Sequence, residues 1–281
     1  MTIASKTQQQ IKKTPELGVI IPTAENSDGG FVPVISTTDE LYAEASYVKD
    51  EMLPLRVRGF GLSGLISAPN GMWDVNGRFN FATGTGAAFT VQSSHATDDV
   101  ADVGAQKVTV VYLDNALAIK SEEVDMDGVT PVSSVALDFK HPMYSYVSQV
   151  GSNRASAGNI VVKSGGTNYD YISAGFNTST QARVTVPAGF NLRVHEYSYG
   201  SGVLAGNVVS LYSNMNPYTQ TLNSDLDLFQ EIDFEICLAS PDVVPTPPFT
   251  FPAGATVWIE YLPLSAGTFV SGGFSCQWLK V

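Results

Sequence analysis

Hydrophobic and polar residues alternate with a period of two along most of the chain after about residue 55. The segments with this alternation are 107–114, 132–139, 159–166, 181–189, 190–200, 207–213, 228–240, 255–264 and 272–281. Successive strand residues point to opposite faces of a sheet, so the pattern is typical of strands with one buried face. Gly, Pro, Asn and Asp separate the segments. The pattern predicts an all-β, antiparallel sandwich or barrel of the jelly-roll type.

The segment "TTDELYAEASYVKDEML" (37–53) departs from this alternation and predicts one short helix. Thr37 or Thr38 can cap its N-terminus, and Glu40 suits the positive end of the helix dipole. Pro54 is expected to end the helix, because proline cannot continue its hydrogen bonding.

These patterns divide the chain into an N-terminal arm with the short helix (1–54) and a β-structured body (55–281). Within the arm, residues 1–37 are polar and interrupted by proline and glycine, so little regular structure is expected there. The body forms either one jelly-roll-like unit or two sandwiches that divide near residue 150.

Two stretches of the body share one frame, "VTVPAGFNLRVHEY" (184–197) and "FTFPAGATVWIEYL" (249–262). Pro187 and Pro252 end the incoming strands, because proline has no N–H for a ladder. Gly189 and Gly254 can take a positive φ. Each Pro-Ala-Gly is therefore predicted to be a corner where a strand changes direction or sheet.

The repetition of this Pro-Ala-Gly frame, which we call the echo, does not predict a repeated active site. His195 of the first copy stands where the second copy has Glu260. His195 and Glu196 are also strand neighbours, and strand neighbours point to opposite faces.

Composition favours assembly over nucleic-acid binding. Charged residues make up 15% of the 281 residues, which is low and suits large buried interfaces. The formal net charge of −12 argues against DNA or RNA as a partner. Lys6, Lys12 and Lys13 precede the first acidic residue, Glu16. This basic arm either is a solvated terminus or contacts an acidic neighbouring subunit.

Motifs for cofactor and redox chemistry are weak. Gly59, Gly61 and Gly64 form a GxGxxG pattern, but no helix is predicted after it, so we interpret it as a strand or bulge. Cys237 and Cys276 lie in no metal motif; they are predicted to be buried thiols, with a disulfide as the alternative. No segment is apolar enough for a secretory signal or a membrane span, so we expect synthesis in the cytoplasm and no membrane contact.

The other chemical candidates have structural alternatives. Two acidic groups could hold a cation at a subunit contact or form solvated loops; they are Asp125 and Asp127, and Asp98, Asp99 and Asp102. The three histidines are scattered and no HExxH or GxSxG motif is present; they are His95, His141 and His195. We expect no catalytic residue, no bound cofactor or metal, and no enzymatic activity.

Tyrosines are frequent in the second half of the chain. They are Tyr169, Tyr171, Tyr197, Tyr199, Tyr212 and Tyr218. Exposed tyrosines could stack on sugars or dock a partner, whereas buried ones would pack the core and interfaces. Core and interface packing is the favoured interpretation.

Residues 95–132, "HATDDVADVGAQKVTVVYLDNALAIKSEEVDMDGVTPV", and 158–194, "GNIVVKSGGTNYDYISAGFNTSTQARVTVPAGFNLRV", resemble a group of virion structural proteins of tailed bacteriophages. The ending "FTFPAGATVWIEYL" followed by "SGGFSCQWL" is similar to the ending of that group. The chain departs from the group at Arg183, where the group tends to have Tyr, and in the His141–Pro142 segment.

The resemblance implies a non-enzymatic β-sandwich or jelly-roll protein that assembles on a virion with other virion proteins, such as the major capsid protein or tail proteins. A capsid decoration or cement protein, acting as a homotrimer or another homo-oligomer, is the first hypothesis. A head–tail or tail-fibre component that binds a host receptor or glycan is the alternative. A double jelly-roll major capsid protein is a third.

Overall fold

The computed structural model describes residues 10–13, 20–25, 31–33, 52–63, 68–73, 75, 77–82, 84–201, 207–216, 221–222, 230–237, 242–243, 249–263 and 268–281. Among them the strands are β1 (Gln10–Lys13), β2 (Ile20–Glu25), β3 (Phe31–Pro33), β4 (Met52–Ser63), β5 (Asn70–Gly71), β6 (Thr90–Ser93), β7 (Ala105–Leu113), β8 (Ile119–Asp125), β9 (Val132–Ser133), β10 (His141–Val150), β11 (Ile160–Ser164), β12 (Thr167–Ile172), β13 (Arg183–Thr185), β14 (Phe190–Ser201), β15 (Asn207–Ser213), β16 (Met215–Asn216), β17 (Thr221–Leu222), β18 (Gln230–Cys237), β19 (Asp242–Val243), β20 (Phe249–Phe251), β21 (Thr256–Pro263) and β22 (Thr268–Lys280). In this part of the chain, no helix is long and apolar enough to cross a membrane.

Every strand pairing in the described residues is antiparallel, and no helix is present there, so the prediction of an all-β antiparallel fold is confirmed. The main sheets have the strand orders β13-β21-β15-β18, β19-β14-β22-β4, β10-β7-β8 and β12-β11-β6-β9. Strand β5 adds to the first sheet beside β21, and β20 adds to the second beside β14. Strands β1, β2 and β3 form a separate sheet, as do β16 and β17.

The first two main sheets enclose one hydrophobic core, and we name them together the terminal sandwich. Its core takes residues from both ends of the body, from Val57 and Met72 to Phe274 and Cys276. Alternate residues of β21, including Val257 and Ile259, are fully buried. Each such aliphatic side chain contributes about 1.5–3 kcal/mol of transfer free energy when it leaves water.

The other two main sheets enclose a second core, and we name them the inserted sandwich. Its core runs from Phe89 on the lead-in to β6 to Ile172 at the end of β12. The chain therefore leaves the terminal sandwich after Met72, builds a second core, and re-enters the first core at Ala182. The division of the body near residue 150 stays a prediction.

The two Pro-Ala-Gly turns lie side by side and exchange strands between the sheets of the terminal sandwich. The carbonyls of Pro187 and Pro252 accept the N–H groups of the residues three positions on, and Gly189 and Gly254 have φ of 81° and 85°. A positive φ at the third position is the geometry of a type II turn. The N–H of Gly254 also donates to the carbonyl of Val186 at 2.9 Å.

Each turn carries the chain from one sheet to the other, in opposite directions. Strand β13 before the first turn pairs with β21 after the second, and β20 before the second turn pairs with β14 after the first. The echo in the sequence is thus a pair of adjacent corners that join the two sheets.

Two predictions about the extent of the strands need correction. Residues 132–139 alternate but form strand only at Val132–Ser133, and the chain bends at 135 and 137, where Ser134 Oγ donates to the carbonyl of Ala136. Residues 1–37, expected to be irregular, contain β1, β2 and β3. Pro33 fits because it lies in the edge strand β3, and Pro22 fits because it lies in the part of β2 that pairs with β1 alone, since the pairing with β3 begins at Thr23.

The predicted helix at 37–53 lies outside the described residues except for its last two positions. Met52 and Leu53 belong to β4, and Pro54 lies within that strand opposite Gln277, so Pro54 does not end a helix. Among the described strands β4 is at the edge of its sheet, where a missing N–H is tolerated.

Candidate functional site

A cleft of about 470 Å³ lies between the terminal and the inserted sandwich. It is lined by Val57, Val111, Ile119, Met143, Tyr144, Ser179, Gln181, Arg183, Val184 and Trp278. Its volume is in the range of small-molecule sites, and its lining is mostly apolar with a few polar groups, as in such sites. Of the lining residues, Arg183 alone carries a charge at neutral pH.

Arg183 is 3% exposed and is held by carbonyl oxygens. Its Nη1 donates to the carbonyl of Asn80 at 2.8 Å, and its Nη2 donates to the carbonyl of Tyr169 and to Oε1 of Gln181, both at 2.7 Å. Its guanidinium carbon also lies 4.9 Å from the ring centre of Phe79. These contacts explain how this strand accepts a buried cation.

The charge of Arg183 is not paired with a carboxylate within 4.0 Å among the described residues. Its Nε is buried and has no hydrogen-bond partner in the described structure. Burial lowers the pKa of Arg183 to about 10, so the group stays protonated at neutral pH. The nearby Asp170 is itself buried; its Oδ2 accepts from Ser145 Oγ at 2.5 Å, and burial raises its pKa.

Two exposed tyrosines of β10 were missed by the sequence interpretation: Tyr144, which lines the cleft, and Tyr146, which stacks on it. Tyr144 is 48% exposed and Tyr146 is 38% exposed, and their ring centres are 6.2 Å apart with 26° between the planes. Ser145 between them is fully buried. The signal was the alternation Tyr-Ser-Tyr, which Pro142 obscured because a proline argues against a strand.

The tyrosines proposed from the sequence occupy other places. Tyr197 and Tyr199 are buried in the terminal core, and Tyr212 stacks on Trp258 at 5.7 Å. Tyr169 packs against the inserted core, and Tyr171 lines a shallow groove of the inserted sandwich. Tyr218 lies outside the described residues.

Asp98 is a buried anchor rather than a member of a solvated loop or a cation site. Its side chain is fully buried, and its two carboxylate oxygens accept four hydrogen bonds. The donors are Ser93 Oγ at 2.5 Å and the backbone N–H groups of Ala105, Ala157 and Gly158 at 2.7, 2.8 and 2.9 Å. The carboxylate thereby ties the loop before β7 to the segment before β11.

The remaining predicted acids form local contacts. Asp99 and Asp102 accept from the backbone N–H groups of Ala101 and Val103. Asp125 is exposed and pairs with Lys107 at 3.4 Å, while Asp127 is exposed. Among the described residues, no group of three or more His, Cys, Asp or Glu side chains could hold a metal ion.

The two corresponding positions of the echo differ in chemistry. His195 is 5% exposed, lies at a bulge of β14, and has Nε2 2.9 Å from Oε1 of Gln277. Glu260 is 3% exposed, accepts from Trp258 Nε1 at 3.1 Å and pairs with Arg78 at 3.0 Å. The two side chains therefore serve as separate polar pairs of the framework.

His141 and His95 lie on different elements from His195. His95 is exposed, with Nδ1 2.8 Å from Thr97 Oγ1. His141 begins β10, and burial, followed by the charges of Lys140 and Arg183, lowers its pKa to about 4. Burial disfavours the charged imidazolium in the folded state. The folded state is therefore destabilised relative to the unfolded chain at a pH where the unfolded chain binds the proton.

We expect this histidine to make folding sensitive to acid. Between pH 6.5 and 4, the unfolded chain binds a proton at His141 and the folded chain does not, so stability is complete above pH 6.5 and falls as the pH falls toward 4. His141→Asn should flatten this part of the profile in urea unfolding at several pH values. The same substitution at exposed His95 is the control, and equal profiles for both variants would contradict the assignment.

Gly59 and Gly61 lie in β4, as the strand interpretation of the GxGxxG pattern requires, and Gly64 lies outside the described residues. A Cβ at Gly59 would overlap the backbone O of Met72 and the backbone N of Ala182. Glycine at this position therefore permits close approach of three backbone segments.

The remaining predicted residues lie apart from the cleft's lining. Cys276 is buried in the terminal core, and burial raises the pKa of its thiol; the side chain of Cys237 lies outside the described part. Lys12 and Lys13 are in β1, opposite Ile21 and Ile20, while Lys6 lies outside the described residues. Their role in assembly stays a prediction.

No family model matches the chain, and no curated protein matches it. Among solved structures, the chain has a weak similarity to T=1 particles derived from infectious bursal virus. The sequence identity is 11% and the TM-score is 0.12, and the alignment covers 82% of this chain and 78% of that one. The infectious bursal disease virus VP2 subviral particle gives 7% identity and a TM-score of 0.12 over 81% and 80%. These scores establish neither a family nor a shared fold.

Proposed function

We propose that the protein is a non-enzymatic structural component of a bacteriophage virion, and that it decorates or cements the capsid as a symmetric oligomer. The resemblance of residues 95–132 and 158–194 to tailed-phage virion proteins supports this proposal. Three buried charged side chains have structural contacts. Asp98 ties loops together, Glu260 pairs with Arg78, and Arg183 binds backbone carbonyls.

The observation that carries the proposal is a pair of exposed apolar side chains on the loop after β9. The side chains of Val135 and Leu137 are 89% and 72% exposed. The loop is nevertheless held in place, because the carboxylate of Glu122 accepts the N–H groups of Val135 and Ala136 at 2.6 and 3.0 Å. Fixed apolar groups in water are typical of protein contacts. We name Val135 and Leu137 the apolar projection.

Assembly would work by burying this projection and the open sheet edges against neighbouring copies or the capsid. A homotrimer is the expected arrangement, with Lys6, Lys12 and Lys13 of the arm contacting an acidic neighbour. A head–tail or tail-fibre role remains the alternative. The tyrosines that favoured glycan binding in that role are largely in cores, however, as for Tyr197 and Tyr199. A double jelly-roll major capsid role has no supporting observation.

Cryo-electron microscopy of the intact particle tests the location. A decoration protein should appear as many symmetric copies on the outside of the head, whereas a receptor-binding component should appear as few copies at the tail. Absence of the protein from the particle would contradict the whole proposal.

We expect the double substitution Val135→Ser with Leu137→Ser to weaken assembly while leaving the fold intact, because both side chains face water in the isolated chain. Two buried aliphatic anchors are worth roughly 2–4 kcal/mol of association free energy, a loss of about 30-fold or more in affinity. Analytical ultracentrifugation of the purified chain and occupancy on the particle provide the measurements. Val281→Ser, at a valine that is 82% exposed, is the matched control. Equal behaviour of the two variants would remove the projection from the interface.

A further inference from the structure

The cleft between the two sandwiches combines an aromatic rim with a single buried cation. The rim is the tyrosine pair of β10, in which Tyr144 lines the cleft and Tyr146 stacks on it. Exposed aromatic rings present a flat apolar face beside a hydroxyl group, and this combination suits ligands that are partly apolar and partly polar. Nothing in the terminal or inserted core requires these rings, since both lie on the outward face of β10.

The floor of the cleft contains Arg183, which has more N–H donors than its hydrogen bonds in the described residues use. A guanidinium has five N–H donors, and the contacts of Arg183 with Asn80, Tyr169 and Gln181 use three. Its Nε has no partner among the described residues. The buried Asp170 attracts the charge of Arg183 without a contact within 4.0 Å, so it offsets only part of the cost of burying this cation. An incoming carboxylate would lower the remaining cost through a charge-assisted hydrogen bond.

Charge complementarity also selects an anion. The chain carries a net charge of −12, yet no carboxylate lines the cleft and its one charged group is positive. A ligand with several negative charges would be repelled by the body as a whole. A ligand with one carboxylate on an otherwise neutral framework fits both the local and the global charge.

We propose that this cleft binds a glycan through a sugar residue that bears a carboxylate, such as a uronic or a sialic acid. The carboxylate lies toward Arg183, and the apolar face of the sugar ring lies against Tyr144. A second sugar unit extends along Tyr146, and the polar groups of Ser179 and Gln181 border the site. A sugar fits better than a fatty acid because the cleft is open at its tyrosine rim, so hydroxyl groups stay in contact with water.

The test uses the purified full-length chain and two matched pairs of probes. Isothermal titration calorimetry compares galacturonic acid with galactose and sialyllactose with lactose, so that each acidic probe carries one carboxylate. We expect at least one acidic member to bind at least about tenfold more tightly than its neutral partner, the difference of one charge-assisted contact. Failure of both acidic probes to bind at millimolar concentration, or equal affinity within both pairs, would overturn the proposal.

Substitutions locate the site without endangering the fold. Tyr144→Ala combined with Tyr146→Ala should weaken binding of the acidic probe by about tenfold or more, since each ring contact is worth about 0.5–1.5 kcal/mol. Val129→Ser, at a valine that is 53% exposed and does not line the cleft, is the control and should bind as the wild type does. Binding that is unchanged in the double tyrosine variant would place the sugar elsewhere and overturn the assignment.

Arg183→Gln is a second variant, used only if circular dichroism shows it folded, and it should abolish the preference for the acidic probe. A short peptide with a free C-terminus is the competing ligand; if it binds while both acidic sugars do not, the cleft is a peptide site and the glycan proposal is wrong. These measurements need no particle, so they are independent of the location experiment.

Discussion

Asp98→Ala should lower the free energy of unfolding by about 3–5 kcal/mol, because it leaves four buried donors without an acceptor. The donors are Ser93 Oγ and the backbone N–H groups of Ala105, Ala157 and Gly158. Water has little access to satisfy them, since the carboxylate is fully buried. Urea or thermal unfolding monitored by circular dichroism provides the measurement.

Two further substitutions separate the hydrogen bonds from the loop itself. Asp98→Asn keeps the shape but replaces an acceptor by a donor that faces the N–H groups, so it should lose a large part of the same stability. Asp102→Ala, in the same loop, removes one exposed contact to Val103 and should cost about 0.5 kcal/mol. If Asp98→Ala and Asp102→Ala cost the same, Asp98 is not the anchor described above.

Gly59→Ala is the second substitution with a large expected effect, about 3 kcal/mol or more of lost stability. The added Cβ would overlap the backbone of Met72 and Ala182. These two residues are joined by a hydrogen bond of 2.9 Å from the N–H of Ala182 to the carbonyl of Met72. Backbone atoms of paired strands cannot move aside as the end of a flexible side chain can. Strand β4 would have to separate from its neighbours. Chemical denaturation of the purified variant measures the loss.

Gly165→Ala is the matched control for this experiment. Gly165 has a φ of 55° and nothing lies within 4 Å of an added Cβ, so its substitution carries conformational strain and no overlap. About 1–2 kcal/mol is expected there. A loss at Gly59 no larger than that at Gly165 would show that the strands adjust, and the close approach would not require glycine.

The pH profile of His141 and the assembly of the apolar projection test smaller effects in separate regions. The first concerns the start of β10, and the second concerns the loop of Val135 and Leu137. Because His141 and Asp98 lie on different elements, their effects on the free energy of unfolding should add within a few tenths of a kcal/mol, whereas the effect of the apolar projection is a change in association free energy.

Local rules were sufficient for much of the fold. The hairpin of β7 and β8 follows from the alternation of residues 107–114 and the turn residues Asp114 and Asn115. The span of β15, Asn207–Ser213, agrees with the alternating segment 207–213. Local rules failed at residues 132–139, where the alternation continues but Val135 and Leu137 point to solvent. Periodicity cannot tell which apolar face a sheet will cover, because that depends on a partner surface elsewhere.

The candidate site could not be read from the sequence in the same way. Arg183 was visible as a departure from the resembling proteins, but its carbonyl partners include Asn80, which is 103 positions away. The exposed pair Tyr144 and Tyr146 was missed, while the buried Tyr197 and Tyr199 were considered. Residue type states which chemistry is possible, and burial decides whether it faces a ligand or a core.

The sequence by itself determined the all-β antiparallel class and the turn-forming Pro-Ala-Gly elements, because alternation and turn chemistry act over a few neighbouring residues. It also contains no motif that nominates a catalytic group. Only the tertiary structure decided that the two Pro-Ala-Gly turns exchange strands between sheets and that one core is built from a segment inserted in another. It also decided that Asp98 bonds to residues 59 and 60 positions away. These features depend on contacts between distant segments, which form when the cores are buried and which no local pattern records.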